Sequence, residues 1–267
     1  MRRVLNTNCY LFGLLMRRNV VIGNWKMNGS VASVTTLVKT IIARGLGEKA
    51  DCFLCPSFVH VTLVCDLLNN ASSEIKLGAQ DLSDQAGGAF TGEVSGPMLS
   101  ELGAGLVLVG HSERRQGLNE TDHLVSSKYK AARAAGLTPV LCVGETQAER
   151  KNGDTEKIVG RQLRVVVEEC GLELMKGSIV AYEPIWAIGT DLTAAPEQAQ
   201  SVHAFLRETL RECSPALADE TRIIYGGSVK ADNANQLFEQ KDIDGALIGG
   251  ASLDADQFLS IWESAEK

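Results

Sequence analysis

The sequence predicts an α/β protein, one domain folded as a (β/α)8 barrel. Three observations carry that expectation. Short apolar runs alternate along the 267 residues with longer segments whose apolar positions recur at helical spacing. The short runs number eight and are hydrophobic throughout, which suits strands buried on both faces. No linker or low-complexity stretch divides the chain. Alternating β and α units imply a parallel sheet, and eight of them in about 250 residues match a closed barrel. A doubly wound open sheet is the alternative.

In order, the strand candidates are residues 20–25, 52–55, 75–79, 106–110, 139–143, 179–182, 222–225 and 246–248. Helical spacing marks 31–44, 121–135, 155–169 and 196–212. Pro196 fits a first helical turn, where its missing N–H costs nothing, and Gly136 and Gly171 fit helix ends.

Hydrophobic residues make up 45% of the chain, enough for a sizeable core. The net charge of −7, without long single-sign runs, argues against a nucleic-acid surface but leaves room for a local basic pocket for a small anion. No apolar run reaches the roughly 18 residues of a membrane span. Seven cysteines, an odd number at irregular spacing, point to reduced thiols and a cytosolic compartment. Cys52-x-x-Cys55 lacks a second pair and reads as core thiols on a buried strand. The four histidines show no ligand spacing, so no metal is expected. Residues 1–15 carry arginines at one end and an apolar stretch, but neither the long core nor the cleavage site of a signal peptide. They read as a poorly ordered extension ahead of a catalytic barrel over 16–267.

The strand ends carry the chemistry. The run ending at Tyr182 is followed by Glu183, and Pro184 then stops the strand. Ile185, Trp186, Ala187, Ile188, Gly189 and Thr190 follow, an apolar loop with a carboxylate at its root. This suggests a base at the mouth of a site, under a lid whose closure expels water and raises the carboxylate's basicity. Asn24-Trp25-Lys26-Met27-Asn28 follows another strand run, with Trp25 expected on the opposite face from Asn24 and Lys26. Gly110-His111-Ser112-Glu113-Arg114-Arg115, Tyr225-Gly226-Gly227-Ser228 and Ile248-Gly249-Gly250-Ala251-Ser252 complete the set. Glycine turns such as Gly249-Gly250 let backbone N–H groups approach an anion closely. No Walker A or complete Gly-x-Gly-x-x-Gly is present, so no nucleotide is implied.

In the order and spacing of these five motifs, residues 19–265 resemble the triosephosphate isomerase family. The resemblance implies a TIM barrel without cofactor that interconverts dihydroxyacetone phosphate and D-glyceraldehyde 3-phosphate in glycolysis and gluconeogenesis, in the cytoplasm. It assigns Glu183 as the base and His111 as a neutral hydrogen-bond donor, the pairing known in this family. Lys26 supplies charge and pairs with Glu113, Asn24 is a neutral donor, and Ser112 supports His111. Gly189, Ser228, Gly249 and Gly250 grip the phosphate, and Pro184 to Thr190 form the lid. Arg207 pairs with Asp242. The pattern-free loop 80–94 fits the family's homodimer contact, implicating Gln80, Thr91 and Glu93 with Met27 and Arg114 of a second copy. One departure concerns the far hinge, where Asp191-Leu192 stands in place of the usual Gly-Lys after Thr190. A different sugar-phosphate isomerase on a phosphate-binding barrel, or a non-catalytic protein on the same scaffold, are the competing readings.

Overall fold

The computed structural model describes residues 17–45, 47, 49–189 and 193–266. The expected extension over 1–15 and the hinge residues Thr190, Asp191 and Leu192 lie outside the described residues. Eight parallel strands close into a barrel in chain order: β1 (Val20–Asn24), β2 (Asp51–Cys55), β3 (Lys76–Ala79), β4 (Leu106–Val109), β5 (Thr138–Val143), β6 (Ile179–Tyr182), β7 (Arg222–Tyr225) and β8 (Gly245–Ile248). Closure pairs β8 with β1, Val20 facing Gly245 and Gly23 facing Ile248. The open-sheet alternative is thereby excluded.

The helices are α1 (Val31–Arg44), α2 (Val61–Asn70), α3 (Gly96–Glu101), α4 (Ser112–Gly117), α5 (Asp122–Ala134), α6 (Gln147–Lys151), α7 (Thr155–Cys170), α8 (Leu172–Met175), α9 (Pro196–Cys213), α10 (Pro215–Glu220), α11 (Ala234–Phe238) and α12 (Ala255–Ala265). Ser30 starts α1 with a reciprocal capping box on Ser33. Pro196 occupies the first turn of α9 as expected. Several strand bounds shift by one residue from the expected ones. Gly110 leaves the extended region at φ +70, which ends β4 at Val109. Asp51 joins β2 because its N–H bonds the Asn19 carbonyl at 2.8 Å.

Strand alternation separates two cores. Val20, Ile22, Phe53, Cys55, Leu106, Leu108, Val140 and Ile224 fill the lumen. Val21, Trp25, Cys52, Leu54, Val107 and Ile223 face outward into the layer shared with the helices. Cys52 and Cys55 therefore lie on opposite faces of β2 as free thiols, and burial raises the pKa of both. They cannot act as a pair. Among the described residues no helix is long and apolar enough to cross a membrane.

Arg207 of α9 ties the bottom of the barrel together. Its guanidinium meets Asp242 at 2.6 Å, as the resemblance implied, but also Asp244 at 2.7 Å and the Ala218 and Thr221 carbonyls. Asp244 further accepts the Ile223 N–H at 2.8 Å and Arg17 at 2.7 Å. The expected pair is thus part of a network, because a second carboxylate, Asp244, stands two residues on, just before β8.

Candidate active site

The C-terminal ends of β1, β4, β6, β7 and β8 converge on a cavity of about 280 Å³. Asn24, Lys26, His111, Glu183, Ile188, Gly189, Ser228, Gly249 and Gly250 all line it. Parallel strands bring every C-terminal end to one face of a barrel, which is how residues far apart in sequence meet here.

Lys26 sits in the left-handed region at φ +54, a conformation costing roughly 1–2 kcal/mol for a residue with a Cβ. Two neighbours offset the strain. The Asn24 side chain accepts the Lys26 N–H at 3.0 Å, and Gln80 donates to the Lys26 carbonyl at 2.9 Å. The bend turns the ammonium inward, where it meets Glu113 at 2.6 Å. A Cβ on Gly249 would lie 3.3 Å from Lys26 Cε, so the lysine stem runs along the glycine turn. Trp25 is buried in the outer layer, on the face opposite Asn24.

His111 precedes α4, and its Nδ1 accepts the Glu113 N–H at 3.3 Å. That leaves the proton on Nε2, which lies 2.8 Å from Glu183 Oε1. The other carboxylate oxygen of Glu183 accepts the Ser112 N–H at 2.9 Å. Burial disfavours the Glu183 carboxylate, but His111, the Ser112 N–H and the charge of Lys26 outweigh it and hold its pKa below the ordinary value. Burial likewise disfavours charge on His111, yet the adjoining Glu183 carboxylate pulls its pKa upward. In this arrangement direct contact between the two side chains outweighs burial at each of them.

Gly144 and Gly226 flank Glu183, and a Cβ at either would collide with it, at 1.9 Å from its carbonyl oxygen and 2.9 Å from its Cγ respectively. Gln162 of α7 fixes Gly144 by bonding both its N–H (2.8 Å) and its carbonyl (3.2 Å). Sequence reading missed these residues, and it missed Glu145. This fully buried carboxylate accepts from Tyr182 (3.1 Å), Trp186 (2.9 Å) and Arg150 (3.2 Å). The signal available was another acidic residue just past a strand, in Val143-Gly144-Glu145.

The lid segment begins with Pro184 at φ −66 and forms a 3-10 turn over Ile185–Ala187. Trp186 points away from the cavity, held by Glu145 and stacked under the Arg150 guanidinium at 4.7 Å. Ile188 and Gly189 reach the cavity wall, Ala187 is buried, and Thr190 lies outside the described residues.

The loop after β3 is pinched at its neck by a Ser83 N–H to Val94 carbonyl bond of 2.8 Å. Beyond the neck Thr91 and Glu93 are exposed, and so is Phe90, at 47%. The aromatic is not buried against its own barrel. Met27 is 94% exposed. Within the chain Gln80 donates to the Lys26 carbonyl, and Arg114 meets Asp81 (2.8 Å) and Glu120 (2.7 Å). Lys128 lies buried between the same two carboxylates.

A family model described as triosephosphate isomerase matches residues 19–265. The triosephosphate isomerase of Alcanivorax borkumensis is 51% identical over 250 residues, covering 94% of this chain and 99% of that protein. That of Thiobacillus denitrificans is 51% identical over 252 residues, covering 94% and 100%. That of Dechloromonas aromatica is 49% identical over 250 residues, covering 94% and 100%.

Proposed function

The chain belongs to the triosephosphate isomerase family, and we propose that the cavity at its strand ends is where dihydroxyacetone phosphate and D-glyceraldehyde 3-phosphate are interconverted. The observation that carries this reading is the contact of Glu183 with His111 at 2.8 Å, in a cavity whose other side is the Gly249–Gly250 turn. A carboxylate, an imidazole N–H and an anion-sized glycine turn are the three parts that a proton shift beside a phosphate requires.

Glu183 removes a proton from the carbon next to the carbonyl. The Nε2–H of His111 and the ammonium of Lys26 stabilise the negative oxygen that forms, and Asn24 offers a neutral donor beside them. His111 Nε2 gives its proton to that oxygen and takes one from the neighbouring hydroxyl, which moves the negative charge to the other oxygen, and the enediolate then takes a proton back on the neighbouring carbon from the same carboxyl group. Glu183 and His111 cannot both serve substrate while bonded to each other, so substrate arrival separates them. Glu183 then loses the contact that holds its pKa down, and its basicity rises where it is needed. Ser112 and Glu113 support the pair, through a backbone N–H on Glu183 and a carboxylate on Lys26. Gly189, Ser228, Gly249 and Gly250 receive the phosphate through backbone N–H groups and a hydroxyl. Pro184 to Thr190 close over the intermediate. No cofactor takes part.

The working unit is a homodimer acting in the cytoplasm, in glycolysis and gluconeogenesis. The exposed apolar side chains Met27, Val59, Phe90 and Met98 support an interface around the loop after β3. Thr91 and Glu93 extend from that loop toward the second copy's Met27 and Arg114, and Gln80 steadies the Lys26 strand end behind it.

The test is an assay from glyceraldehyde 3-phosphate in metal-free, nucleotide-free buffer made with deuterated water. Dihydroxyacetone phosphate should form and carry deuterium on the carbon that Glu183 reprotonates. No turnover would sink the reading in favour of a non-catalytic scaffold. Turnover of a longer sugar phosphate alone would favour the other barrel isomerases.

A further inference from the structure

We propose that Arg115 is a positioning residue for the isomerisation, gripping the two peptide groups that flank His111 and so setting where the imidazole Nε2 points. The proposal rests on the reading of His111 as the donor to the reacting oxygen. The backbone N–H of Arg115 donates to the His111 carbonyl at 3.1 Å. Its side-chain Nε donates to the Gly110 carbonyl at 2.7 Å. One residue therefore holds the peptide on each side of His111.

The guanidinium has two further partners. It reaches the Cys142 carbonyl on β5 at 3.2 Å and Asp122 at the start of α5 at 2.6 Å. The next carbonyl on that strand, from Val143, accepts the Glu183 N–H at 2.8 Å. Arg115 thus couples the backbone behind the imidazole to the strand that carries the backbone behind the carboxylate. Asp122 balances the charge and is braced from outside by Arg161 at 2.7 Å.

Two features make this grip matter. The imidazole's own contacts hold it weakly during turnover, since the Glu113 N–H bond to Nδ1 is long at 3.3 Å and the Glu183 contact must break for substrate. Orientation then rests on the peptides from which the ring grows. Moreover, β4 ends in a Gly110 turn at φ +70, where the chain would otherwise swivel freely. A planar guanidinium can serve Gly110, Cys142 and Asp122 at once, whereas an ammonium is a single centre. The adjacent Arg114 also donates its backbone N–H to the His111 carbonyl, at 2.8 Å, but its side chain is turned to Asp81 and Glu120, so the side-chain grip on the Gly110 carbonyl belongs to Arg115.

The experiment is a double-mutant cycle on the full-length enzyme, with Arg115→Lys, Arg115→Gln, His111→Gln and the Arg115→Gln/His111→Gln pair. Displacing a catalytic group by about 1 Å costs roughly 10²-fold in rate. Arg115→Gln should lower kcat about 10²-fold and Arg115→Lys about 10-fold, with KM for dihydroxyacetone phosphate within about 2-fold, because the phosphate is held at the other side of the cavity. In the pair, Arg115→Gln should cost nothing beyond His111→Gln. Additive losses would overturn the proposal, as would undiminished kcat in folded Arg115→Lys or a kcat that falls only with the folded fraction. Full turnover in His111→Gln would instead remove the reading of His111, a distinct failure.

Discussion

Glu183 is fully buried yet ionises easily, because it is held between His111 Nε2 and the Ser112 N–H. Its length is therefore matched to two donors past the end of β4, two strands away around the barrel. Glu183→Asp should fold normally but lose roughly 10²-fold or more in kcat, since the arm retracts by about 1 Å. Full activity in that variant would take Glu183 out of the mechanism. The pKa direction gives a second test. The carboxylate has a folded pKa below its unfolded one, so its stabilisation is complete above the unfolded value and is lost as pH falls through the folded value. His111→Gln leaves the burial but removes the main group that opposes it, so the Glu183 titration, followed by carboxyl-carbon NMR, should move to higher pH. An unmoved titration would mean that the Ser112 N–H and Lys26 alone set it.

The proposed lid is held by one buried carboxylate. Glu145 gathers Tyr182, Trp186 and Arg150, which anchors the aromatic of the segment while Ile188 and Gly189 stay at the cavity wall. An enediolate left open to water expels its phosphate, so a covering segment protects the intermediate. Deleting residues 185–188 should increase methylglyoxal per turnover. A product ratio equal to that of the intact enzyme would show that the segment is no lid. The sequence displayed the lid's apolar run and its root at Glu183. It did not display the anchor, since nothing near Glu145 in sequence says that Trp186 lies beside it.

At the scale of the whole molecule, the Arg207 network changes what a single substitution should do. Asp242→Ala leaves Arg207 on Asp244 but removes the acceptor of both Arg207 Nε and Gln200, and should cost about 1.5–3 kcal/mol in urea unfolding. Asp244→Ala removes partners from Arg207, Ile223 and Arg17 together and should cost about 3–5 kcal/mol. The reverse order would mean that Asp242 is the main anchor. The exposed loop after β3 carries the proposed dimer. Shortening residues 83–89 should give a soluble monomer with much lower turnover, because each site loses the support of its neighbour. A monomer of undiminished activity, measured by sedimentation and assay on one sample, would refute the shared site.

The barrel, its strand order and the residues at the strand ends were legible because they depend on local pattern. Continuous apolar runs mark strands covered on both faces, and parallel closure sends every strand end to one rim, so Glu183, His111, Lys26 and the Gly249–Gly250 turn could be named in advance. The resemblance added roles that pattern alone does not carry. Only the tertiary structure decided what touches what: Asp244 joining Asp242 on Arg207, Glu145 beneath Trp186, Arg115 around His111, and Phe90 left outside its own barrel. It also set the pKa directions of Glu183 and His111, since burial acts on each and is outweighed by a partner 2.8 Å away that stands 72 residues along the chain, from 111 to 183. Periodicity reports which face a residue takes. The partner it meets there, and the protonation that follows, depend on how the closed barrel sets strand ends against one another.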